Sequence, residues 1–79
     1  MKLFVFSKHA LKRLRERGIN RSVVIDALSA PDKVTKKSDY ILCVKRLPLT
    51  SLVVIYRETD NSIFVITAYF STKTKYFSH

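Results

Sequence analysis

The sequence contains very little glycine, cysteine or acid, and each shortage excludes a class of site. One glycine cannot supply a Gly-rich loop that cradles phosphates. One cysteine, Cys43, excludes a disulfide framework or a zinc cluster within the chain. The six acids are spread singly, so no pair has the clustering of a two-metal nuclease. No Ser-His-Asp or Cys-His arrangement is suggested either.

No segment has the length of a membrane span, and the apolar run LFVF near the N-terminus is too short for a signal-peptide core. A lone cysteine between leucine and valine is typical of a small buried hydrophobic residue in a reducing compartment. We therefore expect a cytoplasmic protein that needs no metal or other cofactor and has no membrane partner.

Positive charge is what the sequence has in excess. Fifteen Lys and Arg residues face six Asp and Glu residues, which gives a net charge of +9 on only 79 residues. The hydrophobic content of 47% and charged content of 27% are those of a folded protein, and the length fits one domain, residues 1–79, with a thin core. The excess favours a polyanionic partner, with nucleic acid ahead of an acidic protein or an anionic membrane.

The order of apolar patterns predicts an α+β fold. A short N-terminal strand precedes two helices, and β-branched and aromatic residues then indicate a three- to four-stranded antiparallel sheet. Ser7 is expected to cap the first helix, which runs to Arg17 with Gly18 as its C′ residue. Asn20 is expected to cap the second helix, which Pro31 ends. The strands are expected at 3–6, near 34, and at 40–46, 52–58 and 62–70, followed by a basic tail at 71–79.

Three residues of the first helix, His9, Arg13 and Arg17, recur at a spacing of four. This spacing places a titratable ring and two guanidinium groups along one side of a helix. Forked arginine donors match phosphate oxygens, and the dipole of the first helical turn favours a neutral imidazole that can act as a base. The alternative is a solvated basic helix face with a surface histidine.

The tail supplies further candidates, because Lys73 and Tyr76 could approach His9 if the last strand ends near the first helix. The alternative for the tail is a frayed terminus. We therefore predict that His9, Arg13, Arg17, Lys73 and Tyr76 are catalytic. The predicted nucleic-acid-binding residues are Lys8, Lys12, Arg13, Arg17, Arg21, Lys73 and Lys75.

The segment HALKRLRERGINRSVVIDALSAP, residues 9–31, resembles a widespread prokaryotic family of uncharacterised small domains. The signature of that family is a His, an Arg four residues later, an Arg-Gly-Ile, an apolar helix and a Pro. The segment LVVIYRETDNSIFVITAYF, residues 52–70, is similar to its closing hairpin and to that of the BrnT toxins, which belong to the RelE/ParE-like group.

The resemblance implies helices packed on an antiparallel sheet, and a toxin of a type II toxin–antitoxin pair that cleaves RNA. It assigns the first-helix positions of the family to His9, Arg13, Arg17 and Gly18. BrnT-like chains also tend to carry a basic residue and a tyrosine after the last strand, which Lys73, Lys75 and Tyr76 match. The arginine usual just after that strand is absent from this chain.

We predict a metal-independent endoribonuclease whose substrate is RNA, with ribosome-associated mRNA as one candidate and ribosome dependence left open. Its expected protein partner is an antitoxin, and an unpaired edge strand would also suit a homodimer. The alternatives are a non-catalytic nucleic-acid-binding module, which needs the charge but no titrating group, and a protein-interaction module whose basic face meets an acidic partner.

Overall fold

The computed structural model describes residues 2–72, which form five strands and two helices. Their order confirms the predicted α+β fold, with a strand, two helices and then the remaining strands. The elements are β1 (Leu3–Phe6), α1 (Lys8–Glu16), α2 (Arg21–Ser29), β2 (Lys33–Lys36), β3 (Ile41–Arg46), β4 (Ser51–Glu58) and β5 (Ser62–Ser71).

All five strands share one sheet, in the order β1-β5-β4-β3-β2. The neighbours from β2 to β5 pair antiparallel, as hairpins and short connections allow. β1 pairs parallel with β5, with Leu3 opposite Ser62 and Phe6 opposite Val65. The sheet therefore includes the N-terminal strand as an edge, and the long connection between this parallel pair contains both helices and the three other strands.

Helix α1 begins and ends where the sequence predicts. The Ser7 side chain accepts a hydrogen bond from the Ala10 N–H at 3.0 Å. At the other end, Gly18 has a φ of +67°, and the Gly18 N–H donates to the Arg15 carbonyl at 3.2 Å. The Ile19 N–H donates to the Leu14 carbonyl at 2.9 Å, and both of these side chains are buried. This is the Schellman arrangement, in which a left-handed glycine ends the helix.

Helix α2 begins after Asn20, as expected, but the Asn20 side chain makes no capping hydrogen bond, so that detail of the prediction is wrong. The backbone carbonyl of Asn20 still accepts the first helical bond, from Val23 at 3.1 Å. Packing stabilises the helix instead, because Val24 and Ala27 are completely or almost completely buried.

The main core lies between the helices and one face of the sheet. α1 packs on β5 and β1, whereas α2 packs on β4 and β3. Cys43 belongs to this core as a free thiol, and its Sγ lies 3.4 Å from the Ala27 carbonyl. Burial, with a smaller contribution from the charge of Asp32, raises the pKa of this thiol from 9.0 to about 11. The fully buried core residues include Leu52, Val54, Ala68, Val24 and Ala10.

The opposite face of the sheet carries the alternate residues of each strand and is turned away from the side on which the helices pack. On this helix-free face, Arg57 of β4 lies opposite Phe64 of β5, and Phe64 lies beside Val5 of β1. The register of β4 and β5 shifts between Ile55 and Tyr56, where β5 contains a bulge.

Within residues 2–72, no helix is long and apolar enough to cross a membrane.

Candidate nucleic-acid interface

A groove of about 500 Å³ opens beside the first turn of α1 and contains His9. His9 is exposed and follows β1 by three residues, so it lies past the end of this edge strand. Val5 and Phe64 form an apolar floor, while Ser7 and Arg57 line the groove as well. A titratable ring and a permanent cation therefore share one open site.

Arg57 reaches this groove from the fourth strand, and sequence reasoning missed it. Its Nε donates a hydrogen bond to the Asp39 carbonyl at 2.9 Å, which anchors the guanidinium group on the loop before β3. The available signal was the alternation in β4: Tyr56 is buried in the core, so the next residue faces the other side of the sheet. A charged side chain at the end of an apolar strand was an indication that this position is exposed.

Arg17 contacts the protein itself. One terminal nitrogen donates to Thr67 Oγ1 and to the Ala68 carbonyl, each at 2.9 Å. β1 pairs with β5 only as far as Val65, so within residues 2–72 no strand pairs with this edge of β5 beyond that residue. The guanidinium group supplies hydrogen bonds to this edge. The predicted catalytic role of Arg17 stays a prediction, and the side chain has a structural role in addition.

Arg13 lies on the same side of α1 and forms an exposed ion pair with Glu16, with 3.3 Å between Nη1 and Oε1. Exposed pairs of this kind contribute little free energy. The guanidinium group can therefore exchange its carboxylate partner for a phosphate at small cost.

The other predicted binding residues lie apart from the groove. Lys8 and Lys12 are exposed on α1, and Arg21 is exposed at the start of α2. Arg21 lines a separate hollow together with Arg15, between the two helices. Lys73, Lys75 and Tyr76 lie outside the described residues, as does most of the predicted tail at 71–79, whereas Ser71 is the last residue of β5.

Among residues 2–72, no three His, Cys, Asp or Glu side chains are grouped so as to hold a metal ion. Two of the acids form ion pairs with neighbouring cations, Glu16 with Arg13 and Glu58 with Lys2. A third, Asp32, accepts a hydrogen bond from the Arg46 N–H at 2.6 Å. These three carboxylates therefore bond to separate partners within the fold.

Comparison with known proteins gives one result. No curated protein and no solved structure matches the chain. The model of a family described as a domain of unknown function, DUF4258, matches residues 6–70, which include α1, α2, the groove residue His9 and both strands that carry Arg57 and Phe64. Because this match covers most of its 79 residues, the chain belongs to the DUF4258 family.

Proposed function

We propose that this protein is a metal-independent endoribonuclease that acts as the toxin of a type II toxin–antitoxin pair. One observation carries the proposal: His9 and Arg57 line the same open groove. A neutral imidazole can accept a proton, and a guanidinium group matches the charge and geometry of a phosphate. Together they meet the needs of a reaction at a phosphodiester.

The overall charge supports a nucleic-acid substrate. The net charge of +9 attracts any polyanion, and neutralising phosphates releases their counterions. Arg13 and Lys12 extend the positive charge along the exposed side of α1 that begins at His9. A bound strand would therefore meet cations both in the groove and along the helix.

The chemistry needs no metal if the substrate is RNA. His9 removes the proton of a 2′-OH, and the 2′-oxygen attacks the adjacent phosphorus. Arg57 stabilises the charge of the phosphorane, and Arg13, which is four residues after His9 on α1, assists it. The bond to the 5′-oxygen then breaks, and that oxygen takes a proton from the imidazolium or from water. The products are a 2′,3′-cyclic phosphate and a 5′-hydroxyl.

The toxin role is supported by the likeness of residues 52–70 to the closing hairpin of the BrnT toxins. The substrate pool would be cytoplasmic RNA, including mRNA on the ribosome, and Cys43 as a buried free thiol suits that compartment. An antitoxin with an acidic or amphipathic segment would cover the basic side of α1. β1 and β2 are the edges of the sheet, and either would suit the alternative of a homodimer.

A second candidate is a nucleic-acid-binding module without catalysis. The position of Arg17 favours this candidate. Arg17 is one of the predicted catalytic residues, but its guanidinium group bonds to Thr67 and Ala68 of the protein itself. Such a module requires the charge but not the imidazole. A protein-interaction module would use the basic face to bind an acidic protein, and it would show no RNA binding even at low salt.

The experiment is incubation of mixed RNA with purified wild type, His9→Ala and His79→Ala in EDTA, followed by a denaturing gel. His79→Ala is the matched control, since it removes the chain's other histidine. We expect cleavage by wild type and by the control but not by His9→Ala. RNA binding without cleavage by any of the three would favour the second candidate.

A further inference from the structure

The groove exposes an aromatic ring to solvent, that of Phe64. Phe64 is 42% exposed on the helix-free face of β5. It is near Leu3, which is 70% exposed at the start of the neighbouring strand β1. Among residues 2–72 these are two of the five large apolar side chains that remain exposed, so this end of the sheet presents an apolar surface to a ligand.

The cation beside this ring is tethered by a hydrogen bond to a neighbouring loop. Phe64 lies directly opposite Arg57 in the antiparallel pair, and neighbouring strands are about 4.8 Å apart. The bond from Arg57 Nε to the Asp39 carbonyl restrains the guanidinium group before any ligand arrives. On the other side of Phe64 lies Val5, and the chain continues from there to His9. The ring therefore lies between the strand that carries Arg57 and the strand that leads to His9.

We propose that Phe64 is the stacking platform of a nucleotide subsite and that the groove takes single-stranded RNA. A base stacks on the phenyl ring, while the adjoining phosphate bonds to Arg57. Stacking needs a base whose face is free, which a strand within a duplex does not offer. The inference rests on the proposed binding of RNA in this groove, and it adds the form of the substrate and the residue that selects it.

The test uses a 2′-O-methyl oligonucleotide, which cannot supply the attacking hydroxyl, so binding is measured without cleavage. Phe64→Leu keeps the apolar bulk and removes the ring. Phe70→Leu is the matched control, because Phe70 is 44% exposed on the same strand but pairs with the core residue Leu52 on the other face. We expect Phe64→Leu to weaken single-strand binding at least about fivefold and Phe70→Leu to change it less than twofold.

A second measurement reports stacking directly. The chain has no tryptophan, so Phe64→Trp introduces one fluorescent indole into the groove, and Phe70→Trp introduces one on the opposite face. We expect the single-stranded oligonucleotide to quench the indole of Phe64→Trp only, and a duplex of the same sequence to bind more weakly and quench less. Circular dichroism establishes that all variants are folded.

Equal affinity of wild type and Phe64→Leu, absence of quenching, or preference for the duplex would overturn the inference. Its failure is distinguishable from that of the proposed cleavage. If the oligonucleotide stacks on the ring but ordinary RNA is not cleaved in EDTA, the proposed nuclease activity is wrong and the proposed subsite stands. If RNA is cleaved equally well by wild type and Phe64→Leu, the proposed subsite is wrong and the proposed nuclease activity stands.

Discussion

Arg17 at the end of α1 donates a hydrogen bond to the backbone carbonyl of Ala68 in β5, across fifty-one residues of sequence. The same nitrogen bonds to Thr67 Oγ1. Ala68 lies past the point where β1 stops pairing, so the helix supplies the donor that a longer β1 would have supplied. A residue with the spacing of a phosphate ligand thus also completes the edge of the sheet.

The bonds of Arg17 predict a loss of stability rather than a specific loss of binding. Arg17→Ala should lower the free energy of unfolding by about 1 to 2 kcal/mol, since charge-assisted bonds at this part-buried edge are removed. Arg15→Ala, at an exposed position of the same helix, should change it by less than about 0.5 kcal/mol. Urea unfolding measures both. An unchanged Arg17→Ala midpoint would show that these bonds do not hold the edge.

Gly18 should resist substitution because of its backbone angle rather than any lack of space. A Cβ at this position would meet nothing within 4 Å, yet the φ of +67° lies in the left-handed region. Gly18→Ala should therefore destabilise the protein by about 1 kcal/mol. Gly18→Asn should cost less, since asparagine tolerates that region better. Thermal unfolding of the two variants compares them, and equal stability of wild type and Gly18→Ala would be contrary to the described turn.

The raised pKa of the buried Cys43 thiol should make the protein less stable at alkaline pH. In the folded protein the pKa of the Cys43 thiol is raised to about 11, whereas in the unfolded chain it has its ordinary value of 9.0. Between pH 9 and 11 the folded protein therefore keeps the thiol proton and the unfolded chain loses it. Between these values the unfolded state binds fewer protons, and stability must fall as the pH rises. Cys43→Ala should be slightly less stable at pH 7 but should show a smaller decline from pH 9 to 11. Parallel declines in denaturant titrations would argue against a buried, protonated thiol.

Arg57 should contribute one phosphate contact. For a single strand, Arg57→Ala should lower the slope of log affinity against log salt by about 0.7, as expected when one counterion fewer is released. Arg15→Ala removes the same charge from the separate hollow between the helices and should leave the slope nearly unchanged. Fluorescence anisotropy of a labelled oligonucleotide over a salt series gives both slopes. Equal changes of the slope in both variants would show that the bound oligonucleotide does not lie specifically in the groove.

The sequence predicted the local structure well, because local signals determine it. Ser7 and Gly18 mark the ends of α1 through their own hydrogen-bonding and backbone preferences. The run LVVIY at residues 52–56 is apolar at every position, which is typical of a central strand covered on both faces. β4 does lie between β3 and β5, with Leu52, Val53 and Val54 buried. Alternation and turn residues suffice for such features.

The long-range arrangement of the site was not predictable in the same way. Nothing near β1 indicates that it pairs parallel with β5, a strand almost sixty residues away. Consequently the free edge that Arg17 reaches, and the groove that joins His9 to Arg57, follow only from the sheet order. The spacing of four identified His9 correctly as an exposed residue of α1 but could not identify its neighbour from β4.

The central claim is that His9 promotes attack by a 2′-hydroxyl in the groove. The most direct measurement uses an otherwise deoxy oligonucleotide with a single ribonucleotide, incubated in EDTA with wild type or His9→Ala. We predict that wild type cuts only after the ribonucleotide and leaves a 2′,3′-cyclic phosphate, whereas His9→Ala binds within about twofold but does not cut. Equal cutting by His9→Ala, or binding by both proteins with no cutting by either, would contradict the account.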